Sequence, residues 1–329
     1  MAKLTHRLIP AVPVPFDRDG ELDDVACQLY ARWMAVQDIG GVAVWAHTGR
    51  GLMLSEEQRR QVLAIWRAET RELPLICGVG APAGVKLPSD PAGRTDRVAR
   101  LAAEMAASAR TGGADALLVY PPAVLRGLAD LESRIVEVHR AVADVGLPLL
   151  AFYLYERVED REDAHVGGTG GMEYSPRTIE LLLSLDAVVG IKLATLDSVV
   201  TFQDVVSLVR QCSGSLLITG EDRFFGYSLM MGADGALVGI GAACTDASAG
   251  LLRSWYSGDL GAFHELSARV DAFAARTFCR PVDGYVQRML WALEADGVLE
   301  YETWDPFGPK LDASDRDRVV RAVRDLRGK

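Results

Sequence analysis

Lys192 stands near the end of the apolar run VVGIKLAT, with no other charged residue between Asp186 and Asp197. A lysine at the carboxyl end of a buried strand carries its amine to the point where the strand opens, with apolar neighbours along its stem. Burial disfavours the ammonium and lowers its pKa, and a neutral amine is the form that attacks a carbonyl at neutral pH. A strand-terminal lysine can instead snorkel to solvent, and the position by itself fits both outcomes. Other reactive patterns are sparse. No HExxH, no clustered His/Asp/Glu spacing and no CxxC pair occurs, so neither a metal nor an organic cofactor is expected. The run GGTGG at Gly167–Gly171 has the composition of a phosphate cradle. It does not lie between a strand and an adjoining long helix, so a lid is the better reading.

The elements that would hold Lys192 follow from a repeated alternation of short apolar runs with amphipathic stretches of helical length. Eight candidate strands can be counted: Leu8–Val14, Gly41–Ala46, Leu73–Gly80, Ala114–Val119, Leu147–Tyr153, Val188–Lys192, Leu216–Thr219 and Gly235–Gly239. Each is apolar on both faces, as a strand must be between a barrel interior and an outer helical layer. Helical signals lie near Ser55–Arg71, Asp96–Arg110, Ala129–Val145, Ser175–Leu185, Asp197–Cys212 and Asp222–Met231, and the first opens on SEEQ, a capping box. Three further helices, around Leu260–Arg276, Val282–Asp296 and Ala313–Arg327, exceed what eight βα units need. The expected fold is therefore an α/β protein, a (β/α)8 TIM barrel over residues 1–245 with a C-terminal helical extension over 246–329. A doubly wound open sheet alternates in the same way, but no GxGxxG follows the first strand. The stretches Ala81–Arg94 and Glu156–Tyr174 are rich in turn residues and read as long loops on the active-site face.

Composition narrows the partners. The chain has 329 residues, 49% of them hydrophobic, and a formal charge of −10, which argues against sequence-independent nucleic-acid binding. Its five cysteines are scattered and form no CxxC pair, so they read as free thiols in a reducing compartment. Neither a signal peptide nor a membrane span is expected, and the predicted location is the cytoplasm.

Three segments occur in a telling order: GGVAVWAHTGRGLMLSEEQ after the second strand, GIKLAT at the sixth, and TGEDRFFGYSLMMGADGALVGIG across the seventh and eighth. In these the chain resembles the dihydrodipicolinate synthase and N-acetylneuraminate lyase superfamily of Schiff-base enzymes. The likeness extends to the opening LIPAVPVPFDRDGELD and the closing DGYVQRMLWALEADGVLE, and so covers nearly the whole length. It implies a barrel with three extra C-terminal helices, and makes the lysine of GIK, here Lys192, the Schiff-base residue. The family's TTGE turn grips the substrate carboxylate; the corresponding residues here are His47, Thr48, Gly49 and Arg50. The resemblance thus implies substrate contact by His47, Thr48 and Gly49, with the imidazole standing in for a hydroxyl. Arg50 replaces an acid, and either makes the turn suit an anion or pairs with a nearby carboxylate.

Two departures bear on mechanism. The family carries a proton-relaying tyrosine at the end of strand five, and aligning PLLAFYLYE by its proline places Phe152 there, which cannot transfer a proton. Tyr153 is the expected relay, provided the register slips by one or a bulge turns it inward; Tyr155, His47 or a water are the alternatives. Arg157 stands where the synthases place an arginine for a second carboxylate, though a solvated arginine fits as well. The synthases also use a neighbouring subunit's tyrosine from a PYY run, where this chain has Pro122 and Ala123. Thr219–Asp222 and Leu237–Gly239 match positions that shape the pocket floor, with the Leu237 backbone turned toward the keto acid.

The expected function is a Schiff-base lyase, aldolase or dehydratase, acting on a pyruvate-derived or sugar-derived 2-oxo acid. The partners implied are a small-molecule 2-oxo acid and further copies of the chain in a dimer or tetramer, with no nucleic acid and no membrane. A 4-hydroxy-tetrahydrodipicolinate synthase is one alternative; a barrel that binds a keto acid without turning it over is the other.

Overall fold

The computed structural model describes residues 4–154, 171–196, 198–212 and 214–328. Eight strands are present: β1 (Leu8–Pro10), β2 (Val42–Val44), β3 (Leu75–Val79), β4 (Ala116–Val119), β5 (Leu149–Leu154), β6 (Val188–Ala194), β7 (Leu216–Thr219) and β8 (Gly235–Val238). They pair in parallel in the order β1-β8-β7-β6-β5-β4-β3-β2. A parallel bridge between Ala11 and Ala43, with the Val12 N–H 3.1 Å from the Ala43 carbonyl, brings β1 round to β2. This is the barrel that the sequence periodicity implies. β1 is shorter than the expected Leu8–Val14, because Pro10, Pro13 and Pro15 bring no N–H to a ladder.

Eight helices follow the strands in turn: α1 (Asp24–Ala35), α2 (Glu56–Glu69), α3 (Pro91–Thr111), α4 (Leu131–Ala143), α5 (Pro176–Leu183), α6 (Val199–Gln211), α7 (Phe225–Met230) and α8 (Thr245–Ser257). The expected capping box is formed: Gln58 N–H donates to Ser55 Oγ at 3.1 Å, and Ser55 N–H to Gln58 Oε1 at 2.9 Å. Two of these helices, α1 and α8, carried too weak a pattern to be read from the sequence. In α8 the inward face includes Ser248, Ala249 and Ser254, small residues that give little hydrophobic contrast. No helix among the described residues is long and apolar enough to cross a membrane.

Beyond the barrel lie α9 (Leu260–Thr277), α10 (Tyr285–Ala295) and α11 (Ala313–Leu326). Two buried arginines fasten this extension. Arg288 donates to Asp315 and to the carbonyls of Thr277, Cys279 and Pro281, holding α10 against α11 and the end of α9. Arg50, in the turn after β2, reaches across to the extension: Nη2 lies 2.7 Å from Asp305 Oδ2 and Nη1 lies 2.7 Å from Asp283 Oδ1. Its Nη2 also donates to the Asp283 carbonyl at 2.9 Å. Of the two roles open to Arg50, pairing with carboxylates is the one the structure shows.

The side chains of Arg50 and Asp305 are 3% and 1% exposed, so removing the cation strands a carboxylate away from water. Arg50→Met should therefore lower the unfolding free energy by about 3–5 kcal/mol in urea titration. A loss under about 1 kcal/mol would show that the clamp is not structural.

Candidate active site

The site is assembled at the carboxyl ends of the strands. β5 and β6 run in register with Phe152 beside Lys192 and Tyr153 beside Leu193. Paired residues of parallel strands point to the same face and successive ones to opposite faces, so Phe152 and Lys192 share the barrel interior while Tyr153 faces away. The only register shift in the pair lies at Leu149/Leu150, upstream of both. Tyr153 instead packs edge-on against Tyr174, ring centroids 5.5 Å apart, in the layer between barrel and helices. The slip required to turn Tyr153 inward is absent, and its expected place beside Lys192 is corrected accordingly.

Lys192 is buried, and its Nζ lies 3.9 Å from the centre of the Phe152 ring. No hydrogen bond or ion pair joins it to another described residue. Burial lowers its pKa to about 8, against the raising influence of Asp222 and Glu221. Asp222, just past β7, accepts the Ile240 N–H on Oδ1 at 2.7 Å. Burial lifts its pKa to about 7, offset by the N–H groups of Ile240 and Gly239 and by the charge of Lys192. Amine and carboxyl thus stand close in proton affinity in one largely buried site, the condition in which a proton passes between groups cheaply. Sequence patterning predicted a helix from Asp222; it starts only at Phe225, which leaves Asp222 free to line the mouth.

Glu221 plays a different part. Its Oε1 accepts from both the N–H and the hydroxyl of Thr195, pinning the end of β6 to the end of β7, while Oε2 has no partner among the described residues. Burial raises its pKa to about 8, against the lowering effect of the Thr195 N–H and hydroxyl, and so favours its protonated form.

Across the mouth is the turn after β2. Trp45 and Arg50 hold left-handed backbone conformations there, at φ 56° and 52°, and Leu196 does so after β6, at φ 60°. Such strain in non-glycine residues gathers where the fold commits a turn to a special shape. The Tyr120 hydroxyl donates to the Trp45 carbonyl at 3.0 Å, and its ring lies 5.8 Å from that of Phe152. Gly49 is required by close approach, since a Cβ there would sit 2.9 Å from the Val12 carbonyl oxygen. Its N–H is already given to Ala46. Thr48 and His47 face the mouth, and both meet a residue that sequence reasoning did not single out: Tyr285, at the start of α10. The Tyr285 hydroxyl donates to Thr48 Oγ1 at 3.1 Å and lies 3.1 Å from His47 Nδ1. Its ring stacks on Phe278 at 4.5 Å. A Cβ at Gly239, just past β8, would come within 3.2 Å of Thr48, Phe278 and Tyr285, so the chain leaving β8 passes close against the site there. Burial lowers the His47 pKa to about 4; Asp283 opposes this, and Arg50 and Lys192 add to it.

Beside this core opens a cleft of about 190 Å3, lined by Leu196, Asp222, Arg223, Phe278, Arg280 and Val282 among others. Asp222 belongs to both the cleft and the surroundings of the lysine. Tyr155, Arg157 and most of the GGTGG run lie outside the described residues.

Residues 4–326 match the model of the dihydrodipicolinate synthetase family. The chain belongs to that family. It is 25% identical over 271 residues to the probable 2-dehydro-3-deoxy-D-pentonate aldolase of Escherichia coli (strain K12), covering 80% of this chain and 78% of that one. It is 24% identical over 321 residues to the 4-hydroxy-tetrahydrodipicolinate synthase of Bifidobacterium longum (strain NCC 2705), covering 97% and 93%. Among solved structures, Ruminococcus gnavus sialic acid aldolase superposes with a TM-score of 0.80 at 18% identity, over 99% of this chain and 98% of that one. As a dihydrodipicolinate synthetase family member the chain is an enzyme of the aldolase-type lyase class. The names of its relatives span several substrates.

Gly220 tests the geometry of the family's strand-six lysine in this chain. A Cβ there would lie 2.7 Å from Lys192 Cε and 3.0 Å from the Ala194 Cβ. Gly220→Ala should push the lysine stem aside and reduce kcat/KM on the order of 10²-fold, with the fold retained by circular dichroism. Undiminished turnover would mean that the lysine position is not critical.

Proposed function

We propose that this enzyme is a Schiff-base lyase, an aldolase or dehydratase, whose Lys192 condenses with the C2 carbonyl of a small pyruvate-derived or sugar-derived 2-oxo acid. One observation carries the reading: a buried amine at the end of β6, its pKa drawn to about 8, hydrogen-bonded to no carboxylate among the described residues and set in the barrel interior beside Phe152. A snorkelling lysine would be solvated and a structural one would be paired. Lys192 is neither.

In this reading the free amine adds to C2, the carbinolamine loses water, and a protonated imine forms. That imine draws electrons from C3. Either C3 gives up a proton, or the C3–C4 bond breaks as the C4 hydroxyl gives up its proton and an aldehyde departs. Both routes leave an enamine, which takes a proton at C3 or expels a β-hydroxyl before water releases Lys192. The iminium charge would rest over the Phe152 ring face, where the amine already sits. The substrate carboxylate is assigned to the turn of His47, Thr48 and Gly49. Arg50 contributes no free charge to it, being committed to Asp283 and Asp305.

The cleft beyond Asp222 supports a substrate longer than pyruvate, since Asp222 and Arg223 offer a carboxyl group and a guanidinium group suited to hydroxyls or a second polar group. The same residues suit a sugar-derived acid better than a synthase reaction. Pro122 and Ala123 bring no phenol to the mouth, and Phe152 brings none from β5. Assembly as a dimer or tetramer belongs to this reading through the family.

Reductive trapping checks it. Cyanoborohydride with pyruvate, or with a panel of longer 2-oxo acids, should add the mass of the reduced adduct at Lys192, and Lys192→Arg should show none. Absence of any adduct across the panel would refute the Schiff base.

A further inference from the structure

The imine chemistry needs a group that moves protons at C3, and the strand-five position beside Lys192 is phenylalanine. Among the described residues the remaining phenols around the barrel differ in what they touch. Tyr153 faces away, against Tyr174, and Tyr120 has its hydroxyl on the Trp45 carbonyl, sealed behind the turn. Tyr285 is the phenol placed between two groups of the mouth itself, with Thr48 Oγ1 on one side and His47 Nδ1 on the other, each 3.1 Å from its oxygen.

We propose that Tyr285, brought to the barrel by the C-terminal helices, is a catalytic acid–base residue of this enzyme, working in series with His47. The inference rests on the Schiff-base reading of Lys192. The step balances as follows. The C3–H electron pair becomes the C2=C3 bond and the C2=N pair moves onto nitrogen. The C3 proton passes to the Tyr285 oxygen as the phenol's own proton passes to His47 Nδ1. The positive charge lost by the iminium nitrogen reappears on the imidazole, and reversal of the sequence delivers a proton to the enamine.

Three features favour this route. Burial holds the Tyr285 phenol well above its usual pKa, so a stable phenolate is disfavoured and a concerted hand-over through the oxygen is not. His47 is neutral at rest, and in the tautomer with its proton on Nε2 its Nδ1 accepts once the phenol turns its hydrogen from Thr48 to the imidazole. Burial is the first cause of its low basicity, and the charge on Lys192 adds to it. Conversion of the iminium to a neutral enamine removes that charge at the moment the proton arrives. Arg50 fixes the relay, because Asp283 lies two residues before Tyr285 and is held by the same turn that carries His47 and Thr48.

Tyr285→Phe keeps the ring against Phe278 and removes only the hydroxyl, and His47→Gln removes the proton acceptor. The measurements are cyanoborohydride trapping at Lys192 and, by proton NMR in D2O, exchange of the C3 hydrogens of pyruvate or of the 2-oxo acid that traps best. The expected result is trapping within a few-fold of the parent enzyme in Tyr285→Phe, with exchange slowed about 10²-fold or more in both variants. The primary isotope effect on exchange should rise in Tyr285→Phe. Undiminished exchange in Tyr285→Phe, or an equal fall in trapping and exchange, would overturn the assignment and leave the Schiff base standing. Absence of trapping in the parent enzyme would instead remove the Schiff-base reading, and this inference with it.

Discussion

A single amine held out of water at the end of β6 sets the terms for the rest of the mouth. Burial favours the neutral form, whereas Asp222 and Glu221 favour the ammonium, and the balance falls at about 8, with the Phe152 ring 3.9 Å from the amine. An aromatic face offers a desolvated cation about 0.5–2 kcal/mol, enough to moderate burial without cancelling it. Lys192 is thus within reach of both forms at neutral pH. The neutral amine can attack, and the positive imine that follows meets the same ring and carboxylate. Phe152 is therefore more than a missing phenol, since its ring is part of the surface on which the charge forms.

The barrel alone does not complete this site. The turn after β2 is strained and carries an arginine whose charge is wholly turned toward the C-terminal segment. That pairing explains how a helix more than two hundred residues along the chain comes to place Tyr285 between His47 and Thr48. It also explains why replacing an acid by Arg50 does not make the turn an anion trap. The clamp joins stability to chemistry, because the contacts that hold the extension also orient the phenol.

Much of the fold was legible because both faces of every barrel strand are covered, which writes short apolar runs into the sequence at regular intervals. Helices with a strong apolar stripe were equally plain, whereas α1 and α8 bury small or mixed side chains and left a faint trace. Lys192 could be found because its apolar run ends a strand and matches a family motif. Tyr153 was misplaced by assuming that lost chemistry must be restored by the adjacent residue; strand alternation forbids it without a bulge, and none occurs there. Tyr285 had no local signal at all. Its partners lie 238 and 237 residues away, and only the folded chain brings them together.

The electrostatic state of Lys192 can be measured directly. The chain contains only five lysines, Lys3, Lys86, Lys192, Lys310 and Lys329, so 13Cε-lysine labelling gives a spectrum simple enough to assign with Lys192→Arg. A titration should show the Lys192 resonance moving with a midpoint near pH 8, its amine deprotonating as the pH rises through that value. A Lys192 resonance titrating near 10.5 would contradict the account, because Lys192 would then be an ordinary solvated ammonium and not the nucleophile of the barrel.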